Sequence, residues 1–473
     1  MSFGAATCRG VAVGDVAALK GPFTFEGTAV EGGTVRLRYR IGDDLVFTEV
    51  VEFPFDLPDT PAVAGAIRVL HLVAGVSYYK CVAPTELVLP PVSIAERRLL
   101  VALYDQGLRE FAYRNDLAVP LPVDITTASP GADSAPGAAS PSGRGASGDG
   151  GSMVGGGALV PIGGGKDSAL VAALVPEGQL FAINPVGAHE HLAAALGRPL
   201  VAAHRTLDPL LRELVARGAP NGHVPVTAIT SAVSVLAAIG LGCDDVLMGI
   251  ERSAEEPSLV TSAGWPVNHQ YSKTYEAEKL LRAVFDPVGV RYLSLLRPLT
   301  ELAIGAGVAR RGLAAHIVSC NRVFTVWNEN TSSRDQRPCG DCAKCLFTAL
   351  MVAPSSTPDE VATRYGRSLL DEAGHVDAVR ELWSDEKPFD CVGERLETAA
   401  ALVLLARTDG WREQEVVRAL AGEANRLLDT AGVDPAEFLE LGSLQDLPAE
   451  YRDALVGLGP DLASVPGLAC AAH

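Results

Sequence analysis

The fold of this chain is decided at Ala158-Leu159-Val160-Pro161-Ile162-Gly163-Gly164-Gly165-Lys166-Asp167-Ser168. The five apolar residues at its start predict a short buried strand, and the apolar spacing of residues 168–174 predicts a helix. Glycines between the two elements let the backbone turn sharply and bring its N–H groups against phosphate oxygens. The helix directs its positive end at the same place, and Lys166 adds a full charge. The order of strand, glycine loop and helix therefore predicts a polyphosphate-binding site.

The residues around this loop alternate short apolar strands with helices. Further strands are predicted at residues 180–184, 201–203, 245–248 and 292–295. This alternation predicts a parallel sheet that is covered by helices on both faces. We therefore expect an α/β protein whose central parallel-sheet domain spans residues 158–355.

The flanking regions have different patterns. Residues 1–125 predict an N-terminal α+β domain, with a hairpin at 34–50 and a helix at 94–113. Residues 126–157 consist almost wholly of Ala, Gly, Ser, Pro and Thr, which predicts a flexible linker. Residues 356–473 carry helical spacing at 396–407 and 415–428, which predicts a C-terminal helical region.

Charge and composition limit the partners. The chain of 473 residues has 57 acidic and 39 basic side chains and a net charge of −18, which disfavours nucleic acid. Its longest uncharged apolar stretch, residues 224–243, contains Ser and Thr, so we expect a buried helix there and no membrane partner. The N-terminus does not resemble a signal peptide, and cysteines with metal-ligand spacing favour a reducing compartment, so we expect a cytoplasmic protein. The oligomeric state stays unknown.

Four cysteines form a cluster in the sequence. Cys320, Cys339, Cys342 and Cys345 have the spacing C-x18-C-x2-C-x2-C, which scattered buried cysteines would rarely produce. Thiolates three residues apart converge on one ion, and four of them suit tetrahedral zinc in a structural site. An iron–sulfur cluster is the alternative.

The glycine loop resembles the Ser-Gly-Gly-x-Asp-Ser signature of PP-loop pyrophosphatases at five positions of six, with Gly163 in place of the first serine. It lacks the spacing of a Walker loop or of a dinucleotide fingerprint. The resemblance implies a HUP-like sheet domain that cleaves ATP between its α- and β-phosphates and transfers AMP to a carboxylate or carbonyl. The implied ATP-binding residues are Gly163, Gly164, Gly165, Lys166, Asp167 and Ser168.

Three further residues are expected to contact the nucleotide. In PP-loop enzymes the end of the second strand contacts adenosine, and Asn184 occupies that place, although a turn-forming role before Pro185 is the alternative. Glu251 and Arg252 lie in a charged loop after a strand, where open α/β sheets bind ligands, unless the loop is simply solvated. Magnesium is expected to offset the polyphosphate charge, with Asp167 as the nearest carboxylate unless it caps the helix.

Five stretches together resemble a family of ATP-dependent peptidoglycan enzymes, the UDP-N-acetyl-α-D-muramoyl-L-alanyl-L-glutamate epimerases. They are residues 71–80 (HLVAGVSYYK), 161–168 (PIGGGKDS), 267–273 (VNHQYSK), 319–322 (SCNR) and 387–394 (KPFDCVGE). The resemblance implies a UDP-linked muramoyl dipeptide substrate that ends in L-glutamate. Its α-carboxylate would attack ATP and release diphosphate, and the adenylated residue would be inverted before water releases D-glutamate and AMP.

Inversion requires acid–base groups on both faces of the carbon. The catalytic candidates are His269, Lys273 and Cys391, because each lies in a polar, motif-like stretch. Cys391 is attractive since thiols serve cofactor-free racemases, although a small buried residue before a helix is the alternative.

Other functions stay open at this stage. A 7-cyano-7-deazaguanine synthase-like ligase also combines such a loop with four cysteines, but that single-domain family leaves the flanking regions unexplained. A zinc-stabilised ATP-binding protein without catalysis and an amide-forming ligase are further alternatives. The ligase would need an ammonia or amine source, and no glutaminase-like cysteine motif is evident.

Overall fold

A computed structural model of the chain describes residues 20–127, 156–323 and 337–468. Most of the predicted linker, residues 128–155, lies outside these ranges. The strands are β1 Phe23–Glu31, β2 Thr34–Ile41, β3 Leu45–Glu52, β4 Glu86–Leu89, β5 Asp124–Thr127, β6 Ala158–Pro161, β7 Gln179–Ile183, β8 Leu200–Thr206, β9 Asp245–Met248, β10 Leu259–Val260, β11 Pro266–Val267 and β12 Arg291–Ser294.

Helices follow most of these strands. The α-helices are α1 Pro61–Ala74, α2 Val76–Tyr79, α3 Ile94–Asp105, α4 Arg109–Arg114, α5 Lys166–Leu174, α6 Gly187–Ala195, α7 Pro209–Ala216, α8 Val226–Leu241, α9 Tyr275–Phe285, α10 Glu301–Arg310, α11 Ala343–Val352, α12 Pro358–Tyr365, α13 Val376–Arg380, α14 Arg395–Ala406, α15 Glu415–Ala431, α16 Ala449–Val456 and α17 Gly459–Ala463. Short 3₁₀ turns lie at Gln106–Leu108, Arg252–Glu255, Tyr271–Lys273, Asp286–Val288, Ala353–Ser355, Leu369–Asp371, Ala373–His375, Glu381–Trp383 and Pro435–Leu439.

Ten strands form one mixed sheet in the order β12-β9-β6-β7-β8-β3-β2-β1-β4-β5. The strands from β12 to β8 pair in parallel, as do β1, β4 and β5, whereas β8, β3, β2 and β1 pair antiparallel. The α/β class and the predominantly parallel sheet agree with the sequence prediction.

The N-terminal hairpin continues this sheet. It forms at the predicted place, with β2 and β3 in register from the pair Thr34–Glu52 to the pair Ile41–Leu45. Strand β3 then pairs with β8, a contact that local patterns could not indicate because it joins segments far apart in the chain. The predicted N-terminal and central regions therefore share one sheet, and the bounds of the predicted domains stay a prediction.

Alternate residues of the parallel strands face two cores, as the two-residue period of a strand requires. Leu159 and Phe181 join the core formed with α1, α3 and α8, whereas Val160 and Ala182 join the core formed with α10, α11, α14 and α15. Helices therefore cover both faces of the parallel strands. The residues described beyond 357 form α12–α17 and 3₁₀ turns.

One helical segment of the described residues, Pro61–Tyr79, is long and apolar enough to cross a membrane. Of its most apolar window, 78% is buried inside the protein, and the same length and composition occur in core helices. The apolar stretch 224–243 forms α8, which packs against α1.

Candidate functional site

The glycine loop, residues 163–165, connects β6 to α5 as the sequence predicts. Gly164 has a φ of +75°, a left-handed conformation that favours glycine, and Gly165 caps the N-terminus of α5. The loop is braced internally, because the Gly163 N–H donates to Ser168 Oγ at 3.1 Å and the Ser168 hydroxyl donates to the Gly165 carbonyl at 3.3 Å. The nine-residue helix α5 thus begins at this loop, a geometry that favours anions.

Three carboxylates lie beside the loop and are called here the carboxylate cluster: Asp167, Glu251 and Glu301. One oxygen from each lies within 4.8 Å of the others, and Lys166 contacts both Asp167, at 2.5 Å, and Glu301. Glu251 is fully buried, and within the described ranges neither of its carboxylate oxygens has a hydrogen-bond donor. A buried carboxylate without donors is costly unless a cation balances it, and carboxylates are the ligands that magnesium prefers.

Asp167 is an ionised member of this cluster rather than a helix cap. Burial acts to raise its pKa, but the charges of Lys166 and Lys273 outweigh burial and hold the pKa below its ordinary value. The helix cap is instead Gly165, which has no side chain to accept a hydrogen bond. The Asp167 carboxylate is therefore available to a cation.

A cavity of about 730 Å³ opens at the carboxyl ends of β6, β7 and β9. Strand β6 lies between β7, which follows it in the chain, and β9. The strand order therefore reverses at β6, and open α/β sheets bind ligands at such a reversal. The predicted site residues that line it are Gly163, Gly165, Lys166, Asp167, Ser168, Asn184, Lys273 and Cys391. Of the predicted nucleotide-binding and catalytic residues, those outside its lining are Gly164, Glu251, Arg252 and His269.

Asn184 borders the cavity, but its side chain is engaged in the sheet. Its Nδ2 donates to the Arg205 carbonyl and its Oδ1 accepts from the Arg205 N–H, both at 2.8 Å. Its left-handed φ of +49° suits this bridge between β7 and β8. Arg252 lies elsewhere, because its guanidinium donates to the Glu437 carbonyl of the C-terminal region at 3.4 Å.

Cys391 lies in the wall of the cavity and forms a hydrogen bond with His269. On its other side, His269 Nδ1 lies 2.5 Å from Glu110 Oε2, a carboxylate of α4. Burial acts to raise the pKa of the Cys391 thiol, but the charges of Lys344 and Lys273 and the hydrogen bond with His269 bring the pKa to about 6. Burial acts to lower the pKa of His269, but hydrogen bonds with Cys391 and Glu110 raise it to about 9. Near neutral pH the pair is therefore a thiolate and an imidazolium.

Lys273 is close enough to the Cys391 thiol and to two of the carboxylates, Glu251 and Asp167, to interact with their charges. Its Nζ donates to Gln270 Oε1 at 3.1 Å. Burial acts to lower its pKa, but the charges of Glu251, Cys391 and Asp167 raise the pKa above its ordinary value. A lysine that stays charged binds anions or gives a proton, and it cannot act as the base.

Glu110, His223 and His269 also place one ligand atom each within 4.8 Å of the others. Two ligands of one tetrahedral zinc lie about 3.3 Å apart, since each is about 2 Å from the ion. The separation of 2.5 Å between Glu110 and His269 is a hydrogen-bond distance instead. We therefore assign this group as a hydrogen-bonded set and not as a metal site.

The cysteine cluster, Cys320, Cys339, Cys342 and Cys345, comes together as predicted from its spacing. The four sulfurs lie within 4.8 Å of one another, and no disulfide joins the cysteines that the structure describes. The Sγ atoms of Cys339 and Cys345 are 3.9 Å apart, close to the distance of about 3.8 Å between two thiolates on one tetrahedral zinc. An all-sulfur donor set with this spacing fits a structural zinc ion, and the choice between zinc and an iron–sulfur cluster stays a prediction.

The sequence did not single out several residues of this site. Glu110 and Glu301 lie in helices, and Lys344 lies between two cysteines of the cluster. A charged residue on the buried face of a helix was the signal available for the two glutamates.

Together these features define an α/β protein with a glycine loop at the carboxyl end of β6 and, in the wall of the same cavity, a thiol that is hydrogen-bonded to an imidazole. Residues 19–295 match the family model of the MurL N-terminal domain and residues 316–433 match that of the MurL C-terminal domain, so the chain belongs to the MurL family. The N-terminal match runs through the glycine loop to β12, as does the continuous sheet.

Three similar proteins carry the name UDP-N-acetyl-alpha-D-muramoyl-L-alanyl-L-glutamate epimerase. The protein from Salinispora tropica is 37% identical over 89% of this chain and 91% of its own length. The protein from Micromonospora sp. is 38% identical over 86% of this chain and 91% of its own, and that from Xanthomonas oryzae pv. oryzae is 38% identical over 87% and 89%. No solved structure matches the chain.

Proposed function

We propose that this protein is an ATP-dependent epimerase that inverts the terminal L-glutamate of UDP-N-acetylmuramoyl-L-alanyl-L-glutamate to D-glutamate. Membership of the MurL family and the names of the three similar proteins support the substrate and the reaction class. The observation that carries the mechanism is that the glycine loop and the Cys391 thiol line one cavity. Activation by a nucleotide and proton transfer at carbon can therefore occur on one bound residue.

Activation comes first. The α-carboxylate oxygen of the glutamate attacks the α-phosphorus of ATP, the bond to the β-phosphate breaks, and diphosphate leaves. The glycine loop, the α5 N-terminus and Lys166 supply the positive field that such a phosphate chain requires. The carboxylate cluster would hold magnesium, which supplies charge neutralisation, and the cysteine cluster would hold zinc in a structural role.

Adenylation makes the proton transfer feasible. Removal of the Cα proton from a free carboxylate adds charge beside existing charge, whereas an acyl-adenylate is neutral at its acyl group and accepts the enolate charge. We assign the base to the Cys391 thiolate, held by His269, and the proton donor to Lys273, which stays charged in the same cavity. Water then cleaves the acyl-adenylate to give the D-glutamate product and AMP, so that ATP cleavage makes the inversion directional.

The test is to incubate the protein with MgATP and the L-glutamate-terminated UDP-muramoyl dipeptide. AMP release is followed by chromatography, and the chirality of glutamate is determined after acid hydrolysis of the product. We expect AMP and D-glutamate to form together. Nucleotide binding without AMP under these conditions would support the non-catalytic alternative, and AMP formation only with a deazaguanine carboxylate would support the ligase alternative.

A further inference from the structure

We propose that Glu110 is a positioning residue that acts through His269 to hold Cys391 as a thiolate. The inference rests on the proposed function in one respect, namely that Cys391 is the base of the epimerisation. The three residues come from three distant parts of the chain and form a hydrogen-bonded row, in which His269 bonds to both the Glu110 carboxylate and the Cys391 thiol.

The carboxylate is placed for this role by the packing of α4. Only 3% of the Glu110 side chain is exposed, and its Oε2 is directed at His269 Nδ1. The neighbouring Arg109 donates from Nη1 to the Pro266 carbonyl at 3.2 Å, which ties α4 to the segment that carries His269. A charge-assisted hydrogen bond of 2.5 Å, donated by the imidazole to a buried carboxylate, fixes both the orientation of the imidazole and its proton.

The thiol side of the row is fixed in a similar way. Gln270 Nε2 donates to the Val392 carbonyl at 3.0 Å, so the residues after His269 and Cys391 are held together. With Nδ1 facing Glu110, the other ring nitrogen remains for the sulfur. An imidazole with protons on both nitrogens donates to both partners, so the carboxylate favours the form of His269 that stabilises a thiolate.

Other charged groups also face this row. Lys344 and Lys273 act on the sulfur, and Asp390 and His223 act on His269, with the two imidazole rings 4.2 Å apart. Burial, followed by the charge of His269, lowers the pKa of His223 well below its ordinary value, so His223 is neutral near neutral pH. Arg114 lies 3.6 Å from the second Glu110 oxygen at the surface. The groups whose hydrogen bonds raise the pKa of His269 are Cys391 and Glu110.

The test measures the reactivity of the Cys391 thiol and does not require turnover of the substrate. The full-length protein without substrate is alkylated with iodoacetamide across pH 5–10, and the rate at Cys391 is determined by peptide mass spectrometry. In Glu110→Gln the midpoint of this profile should rise by about one pH unit, as expected for the loss of a charge-assisted hydrogen bond. Glu110→Asp should recover part of the shift. Asp116→Asn is the control, because Asp116 follows α4 in the chain and is exposed.

A double-mutant cycle determines whether the effect passes through the imidazole. In a His269→Gln background, Glu110→Gln should cause little further shift. An equal shift in both backgrounds, or none in folded Glu110→Gln protein, would overturn the inference. Because alkylation needs neither ATP nor substrate, a shifted thiol in a protein that fails to epimerise would refute the proposed function alone.

Discussion

The Val318 N–H donates to the carbonyl oxygen of Gly164 at 2.7 Å, in the middle of the glycine loop. Two residues later, Cys320 enters the cysteine cluster, and between them Ser319 Oγ lies so close to Gly165 that an added Cβ would be 3.0 Å from it. The cysteine cluster therefore holds in place the segment that lies against the glycine loop.

Loss of the metal should weaken nucleotide binding as well as stability. In Cys342→Ser the metal content should fall and the Kd for ATP should rise, because the segment around Val318 loses its anchor. Metal analysis and calorimetric titration measure the two effects, with Cys243→Ser, outside the cluster, as the control. Unchanged ATP affinity in metal-free, folded protein would show that the cluster acts on stability alone.

Glu251 should matter for magnesium and not for folding. In Glu251→Gln we expect the magnesium concentration for half-maximal AMP formation to rise roughly 10–100-fold, as for other changes at metal sites. The melting temperature of the metal-free protein should change little, because the replacement removes a buried negative charge that has no hydrogen-bond donor within the described residues, while Lys273 keeps Cys391 and Asp167 as nearby negative charges. Glu255→Gln, at a half-exposed side chain in the next turn, is the control. A large loss of stability in Glu251→Gln would contradict the assignment of Glu251 to a cation site.

Epimerisation should depend on pH through the thiol and the imidazole. Below about pH 6 the Cys391 thiol is protonated and cannot take the Cα proton, and above about pH 9 His269 loses the proton that it donates to the sulfur. The rate of inversion should therefore fall on both sides of this window. AMP formation in Cys391→Ala, measured over the same range, should lack the acidic limb. If AMP formation in that variant decreased below about pH 6 in the same way, the titrating group would not be Cys391.

Removal of the thiol should separate the two half-reactions. In Cys391→Ala, inversion should fall by about 10²–10⁴-fold, the usual contribution of a general base, while AMP release continues because the adenylate still forms and is hydrolysed. The ratio of D-glutamate to AMP, determined in one reaction, reports this uncoupling. Equal losses of both products would indicate that Cys391 serves binding or folding.

The junction between the hairpin and the parallel strands should be a stability determinant. Glu49 is fully buried and forms a bidentate ion pair with Arg205, at 2.6 and 3.0 Å, where β3 meets β8. Glu49→Gln leaves a buried guanidinium unpaired and should lower the free energy of unfolding by about 3–5 kcal/mol. Glu31→Gln, in an exposed pair with Arg36, should change it by less than about 1 kcal/mol. Similar values for both variants in urea titrations would contradict this role.

Local patterns predicted the elements well. The strands at 158–162 and 245–248 and the helices at 396–407 and 415–428 were confirmed within a few residues, because hydrophobic period is a property of neighbouring residues. The pairing of β3 with β8 was not predictable, since Glu49 and Arg205 are separated by 156 positions. Neither segment has a local sequence pattern that identifies the other as its partner. The sequence of a strand at the edge of a sheet does not indicate which other strand will pair with it.

The same distinction between local patterns and contacts of distant segments applies to the candidate site. The glycine loop and the cysteine cluster were found because their residues are close in sequence and their chemistry depends on spacing. Glu110 was not found because its partner His269 is 159 positions away. Arg252 was predicted in a ligand-binding loop after a strand, and its guanidinium donates to the Glu437 carbonyl of the C-terminal region. A charged residue after a strand indicates that its backbone lies at the end of that strand, but it does not indicate the direction of the side chain.

The central claim is that ATP activates the glutamate for proton transfer by Cys391. Its most direct test is hydrogen exchange at the glutamate Cα in D₂O, followed by mass spectrometry of the dipeptide with and without MgATP. We predict deuterium at Cα with ATP, and none without ATP, with α,β-methylene-ATP or in Cys391→Ala. Exchange in the absence of ATP, or equal exchange in Cys391→Ala, would contradict the account.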